Sequence, residues 1–175
     1  MGLTIHYTFV REKEPETLLI RAEEIAVQLG FKIEERGWNK LIINPDEKSE
    51  WIGLHFHKVK TVKKREGYDL ESETIKRNEV GELDDEDWFC SGFIKTHYAG
   101  YKTHIKVAEF LRFISSYCKK VEIHDESSYY EAGYSKESET KLKEFLDRYN
   151  GQIGNLAKQL KGVFGKENIW LGGDV

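Results

Sequence analysis

Lys95, Thr96, His97 and Tyr98 stand side by side, directly after the apolar pair Phe93-Ile94. An ammonium group, a hydroxyl, an imidazole and a phenol can bind an anionic group and move protons. Ala99-Gly100 then turns the chain toward an amphipathic segment. A strand that ends in polar side chains before a helix is a junction where sites are built on rigid supports. Asp125-Glu126 forms a second constellation, also placed where a short apolar stretch ends, and it is followed by Tyr129 and Glu131. Adjacent carboxylates point in different directions. One could orient Lys95 or hold a cation while the other caps a turn.

Histidines form the third group. In a strand, successive side chains point to opposite faces. Residues 3–9 alternate, with Leu3, Ile5, Tyr7 and Phe9 on one face and Thr4, His6 and Thr8 on the other. Residues 51–58 repeat the pattern, with Ile52, Leu54 and Phe56 opposite Trp51, Gly53, His55 and His57. Around Val121 and Ile123, His124 joins Glu122 on the polar side. His6, His55, His57 and His124 therefore share the face turned away from the helices. His-x-His puts two imidazoles on one side, and a divalent metal such as zinc would add a further imidazole or a carboxylate. One chemical reading is a metal-dependent hydrolase on His6, His55, His57 and Asp125. The other is a solvated sheet face, to which His, Thr and Trp are well suited.

The elements that must position these groups follow from periodicity. Pro15 opens a helix whose stripe is Leu18, Ala22, Ile25 and Leu29, and Gly30 closes it. Phe31 and Ile33 begin a strand, residues 37–40 turn, and 41–43 return. Residues 88–94 form an apolar strand whose parity leaves open which of Lys95 and Thr96 faces the helices. Residues 101–119 form a helix with Val107, Leu111, Ile114 and Cys118 on one side. Two more helices are expected over 142–149 and 153–164, separated by Asn150-Gly151. The implied class is α+β, a mainly antiparallel sheet with helices packed on one face and two C-terminal helices. Residues 1–175 read as one domain, with a charged arm or insert at about 59–87.

Composition bounds the function. The formal net charge of −4 works against a nonspecific hold on nucleic acid. The basic run at 58–65 lacks RNP-type aromatics and reads as a solvated hairpin tip. No apolar run is long enough to span a bilayer and no secretory signal opens the chain, so a cytoplasmic location is expected. Cys90 and Cys118 each lie in apolar periodic segments and suit reduced core thiols. Charged residues at 33%, with few Met, Pro and Cys, suit a thermophile protein. No Walker loop, dinucleotide fingerprint or paired Cys-x-x-Cys occurs.

Gly2 to Tyr7, the block Phe93, Ile94, Lys95, Thr96, His97, Tyr98, Ala99, and the block Asp125, Glu126, Ser127, Ser128, Tyr129, Tyr130, Glu131 resemble three motifs of a family of uncharacterised prokaryotic proteins. The likeness covers the first ten residues and about 88–164. The family pattern has Gln in the place of His97 and no fixed counterpart of His55 and His57. It carries no assigned activity. What the resemblance implies is a polar set of His6, Lys95, Thr96, Tyr98, Asp125, Glu126, Tyr129 and Glu131.

Three functions are therefore expected in competition. The first is a pocket at the sheet end for a small polar or anionic ligand. There His6, Lys95, Asp125 and Glu126 would carry the chemistry, with Thr96, Tyr98, Tyr129 and Glu131 around it. The second is a noncatalytic module that holds a protein partner on the open sheet face. The third is the metal-dependent hydrolase. The pocket requires Lys95 and Asp125 on one side of the sheet, and an apolar patch on the open face favours the partner-binding module.

Overall fold

The structure, a computed structural model, describes residues 3–63 and 83–164. The expected arm at about 59–87 lies partly outside them. Two antiparallel sheets form where one was expected. Sheet A has the order β5-β6-β1-β7, from β1 (Thr4–Arg11), β5 (His57–Lys58), β6 (Trp88–Lys95) and β7 (Lys120–Asp125). Sheet B is the meander of β2 (Lys32–Arg36), β3 (Lys40–Asn44) and β4 (Ile52–His55). The chain crosses from one sheet to the other at Phe56. Its N–H donates to Asn39 O (2.9 Å), and its carbonyl accepts from Asn39 Nδ2 (2.9 Å).

The α+β class stands. On one face of sheet A, Ile5, Tyr7, Phe9, Cys90 and Ile94 are buried in one core with sheet B and two helices. The helices are α1 (Glu16–Gln28) and α3 (Tyr101–Ser115). Helix α1 buries Leu18, Leu19, Ala22 and Ala26, and Gly30 follows it with φ of 81°, the left-handed stop expected of it. Helix α3 buries Thr103, His104, Val107, Ala108, Phe110, Leu111 and Ile114. The opposite face of sheet A has a small core of its own. Val10, Phe89 and Val59 bury one another there, Val59 belonging to α2 (Val59–Lys63).

Tyr7 joins the two sheets. Its hydroxyl donates to Gly53 O (3.0 Å) and accepts from Gly53 N–H (3.1 Å), so a buried phenol caps the edge of β4. Burial and the neighbouring Cys90 push its pKa far above the usual phenol range. The ring passes over Gly92, its partner on β6.

The two C-terminal helices run together. After a single turn, α4 (Tyr129–Ala132), helix α5 spans Lys136–Phe164 without a break at Asn150-Gly151. A glycine in a helix interior costs about 1 kcal/mol, which disfavours the helix locally without forbidding it. Leu142 and Leu146 are buried and bind α5 to the core.

Candidate functional site

Strand parity divides the expected site in two. Across β1 and β6, Thr4 pairs with Lys95, Ile5 with Ile94 and His6 with Phe93. Across β1 and β7, Ile5 pairs with Asp125 and His6 with His124. Asp125 thus shares the helix-covered face with Ile5 and Ile94. His6, His124, Lys95 and Phe93 share the opposite, outer face. The expected pairing of Lys95 with Asp125 does not form, because the sheet lies between them.

On the inner side a polar network is sealed under the helices. Helix α3 carries His104 one turn before Val107 and Ala108, on its buried stripe. His104 Nε2 lies 3.0 Å from Asp125 Oδ2, and both side chains have no exposed surface. Thr96 Oγ1 lies 2.7 Å from His104 Nδ1. An ionised carboxylate only accepts, so Nε2 carries a proton toward Asp125, and in the neutral imidazole Nδ1 accepts from the Thr96 hydroxyl. Ser127 donates to Asp125 Oδ1 from its N–H (2.9 Å) and its hydroxyl (2.8 Å), and Tyr130 N–H donates to Oδ2 (3.0 Å). The loop after β7 is therefore wound around one carboxylate. Ser128, with φ of 59°, supplies its left-handed turn. Glu131 accepts the Asp125 N–H (3.1 Å), and the Tyr129 ring meets His104 edge-on at 6.2 Å.

Thr96, Asp125, Tyr129 and Glu131 are thus gathered as the sequence suggested, but around His104 and Ser127, which it did not single out. A signal for His104 was present. Carrying the stripe of Val107, Leu111 and Ile114 back one turn arrives at residue 104, and a histidine on a buried stripe needs partners. The chain Thr96 hydroxyl, imidazole, carboxylate has the order of a nucleophile, its base and an orienting group. Here it is enclosed: Thr96 and His104 are wholly buried and Asp125 is 1% exposed. A fully satisfied buried network of this kind rigidifies the structure.

Burial opposes the Asp125 charge. The hydrogen bonds from His104, Ser127 and Tyr130 outweigh it and hold the carboxyl below its ordinary value of 3.8. A lowered folded-state pKa gives stability that is complete above the unfolded value and is lost as pH falls through the folded one. The stability gap between the wild type and Asp125→Asn is thus expected to narrow as pH falls below about 4. Denaturant titrations at each pH check this. Tyr129, buried beside Glu109, has its phenol pushed up to about 12.

The outer-face residues have separate surroundings. Lys95 Nζ pairs with Glu50 Oε1 (3.6 Å) and lies 5.7 Å from the centre of the Phe93 ring. Glu126 accepts the Thr4 N–H (2.9 Å) at the sheet end. The Tyr98 and His97 rings meet tilted, with centroids 3.8 Å apart and 54° between planes, and His97 also meets Tyr149 of α5 edge-on at 5.7 Å. Burial, then the Lys95 charge, keep the His97 pKa low.

The rings of His55 and His57 touch, with centroids 3.9 Å apart. His57 is level with Phe89 and, through it, Val10, four residues along β1 from His6. At about 3.3 Å per residue this separates His6 from the pair by roughly 13 Å, beyond shared coordination. Asp125 is on the other face. Among the described residues, no three His, Cys, Asp or Glu side chains gather to hold a metal ion, and no helix is long and apolar enough to cross a membrane.

At the β6 end Phe93 stands on the outer face among Thr4, His6 and Lys95, its ring 5.9 Å from that of His6. Phe93 is 51% exposed, Trp51 55% and Tyr98 53%. Glu50 fixes the place of Trp51, because its N–H donates to Lys95 O (3.1 Å) and its carboxylate accepts the Lys95 N–H (3.2 Å). No family model matches the chain, and neither a curated protein nor a solved structure matches it.

Proposed function

We propose that the chain is a noncatalytic protein-interaction module that holds its partner on the outer face of sheet A. The carrying observation is the contrast across that sheet. The hydrogen-bonded chain Thr96, His104 and Asp125 is sealed on the inner side. On the outer side Phe93 is 51% exposed, and Trp51, just before β4, and Tyr98, just after β6, are also more than half exposed. Aromatic anchors with a polar surround are the composition of interface centres. His6, Lys95 and Glu126 form that surround and set orientation. The partner is a folded protein that offers an apolar pocket ringed by polar groups, with carboxylates opposite His6 and Lys95.

A photo-crosslinking residue in place of Phe93 identifies the partner, and calorimetry with the purified pair tests the reading. Phe93→Ala is expected to weaken binding by at least about 30-fold, the effect of losing a hot-spot anchor of about 2 kcal/mol. Tyr134→Ala, at a more exposed ring elsewhere, is expected to leave it unchanged. Equal affinities for the two variants would overturn the proposal.

A further inference from the structure

We infer a separate binding site for a small aromatic zwitterion, the class that includes free aromatic α-amino acids, in the cleft between α1 and the β2–β3 hairpin. This does not depend on the proposed function of the outer sheet face. The cleft measures about 210 Å3 and is lined by Glu16, Leu19, Ile20, Arg36, Gly37 and Trp38. At about 30 Å3 per water it has room for roughly seven waters, the size of one ring with a short polar chain.

Its chemistry is of three kinds. Leu19 and Ile20 of α1 form an apolar floor. Trp38 supplies an aromatic wall. It is 57% exposed, yet its ring is braced edge-on by Trp88 at 5.5 Å and 86°. The hairpin turn beneath it is closed by the Gly37 N–H bond to Lys40 O at 2.7 Å. A large exposed ring held in place, rather than folded back on the surface, presents a ready stacking face.

The third element is a pair of opposite charges. Arg36 Nε is tied to Glu23 Oε2 at 3.0 Å, and a guanidinium has two further amino groups that can donate to a carboxylate. Glu16, in the first turn of α1, lines the same cleft and is suited to an ammonium group. A ligand with one charge of each sign and a ring between Trp38 and the α1 floor satisfies all three. An aromatic acid or an aromatic amine satisfies two.

The test follows the Trp38 indole N–H by NMR, its resonance identified from Trp38→Phe, while L-phenylalanine is added to the full chain. A saturable shift confined to Trp38 and its neighbours is expected. Phenylpropionate and phenethylamine are each expected to bind at least about fivefold more weakly, the effect of losing one exposed charge contact. Glu16→Gln and Arg36→Gln, both at exposed positions, are expected to weaken phenylalanine to the level of the matching analogue. The absence of a saturable shift would overturn the inference. So would binding of either analogue, or of N-acetyl-phenylalanine amide, as tight as that of phenylalanine. That last outcome would assign the cleft to an aromatic side chain of a peptide.

Discussion

Asp125→Ala is expected to lower unfolding stability by about 3–5 kcal/mol, the range for removing one partner from a buried, hydrogen-bonded polar pair. The reason is what the carboxylate leaves behind. His104 Nε2–H, the Ser127 N–H and hydroxyl, and the Tyr130 N–H all donate to it. Alanine leaves these donors buried or half-buried without an acceptor, and each such group costs about 1–3 kcal/mol unless the loop opens to water. Asp125→Asn is expected to do little better. It keeps an oxygen for one side but turns an amide donor toward the other donors. Lys95→Ala, which breaks only an exposed ion pair with Glu50, is expected to change stability by less than about 1 kcal/mol. Urea unfolding of the three variants gives the comparison, with an unchanged denaturant slope showing that the same transition is measured. An Asp125→Ala cost no larger than that of Lys95→Ala would show that the buried network does not hold the loop.

The second large effect is expected at Gly92. A Cβ added there would lie 2.5 Å from the Tyr7 hydroxyl oxygen and 2.7 Å from Cζ. The ring cannot yield freely, because its hydroxyl is bound on both sides to the Gly53 backbone. Gly92→Ala must either push β6 away from β1 or break the link between the sheets. A cost of about 3 kcal/mol or more is expected, at the upper end for overpacking a core. The double variant Tyr7→Leu with Gly92→Ala separates strain from strand propensity. Leucine removes the ring that clashes, so the combined cost should fall below the sum of the two single costs by more than about 1 kcal/mol. Strict additivity would mean that the close approach is not the cause.

Local pattern made much of this fold legible. Alternation in 3–9 gave the parity of β1, the stripe of α1 gave its buried face, and Gly30 gave its end. The division into two sheets was not legible. It depends on one crossing residue, Phe56, whose partner Asn39 is fixed only in three dimensions. The same holds for the site. Thr96, Asp125, Tyr129 and Glu131 belong together, as their motifs suggested. Lys95 was assigned to them because the parity of the apolar strand 88–95 could be read either way. Pairing with β1 resolves it: Lys95 stands opposite Thr4, on the outer face. His104 was overlooked because a helix stripe is read from apolar residues, and a histidine on it gives no apolar signal. The Asn150-Gly151 pair shows the reverse error, a strong local turn signal overridden by the continuing helix.

The buried network of the inner face holds the loop after β7 in place, and the outer face is proposed to hold the partner. Oxidative footprinting of the unsubstituted chain, alone and in complex with the partner that the crosslink identifies, tests that division most directly. Phe93, Trp51 and Tyr98 are expected to lose reactivity together on complex formation, while Trp38 and Tyr134, which are also exposed, keep theirs. Unchanged reactivity at Phe93, Trp51 and Tyr98 in the complex would contradict the account.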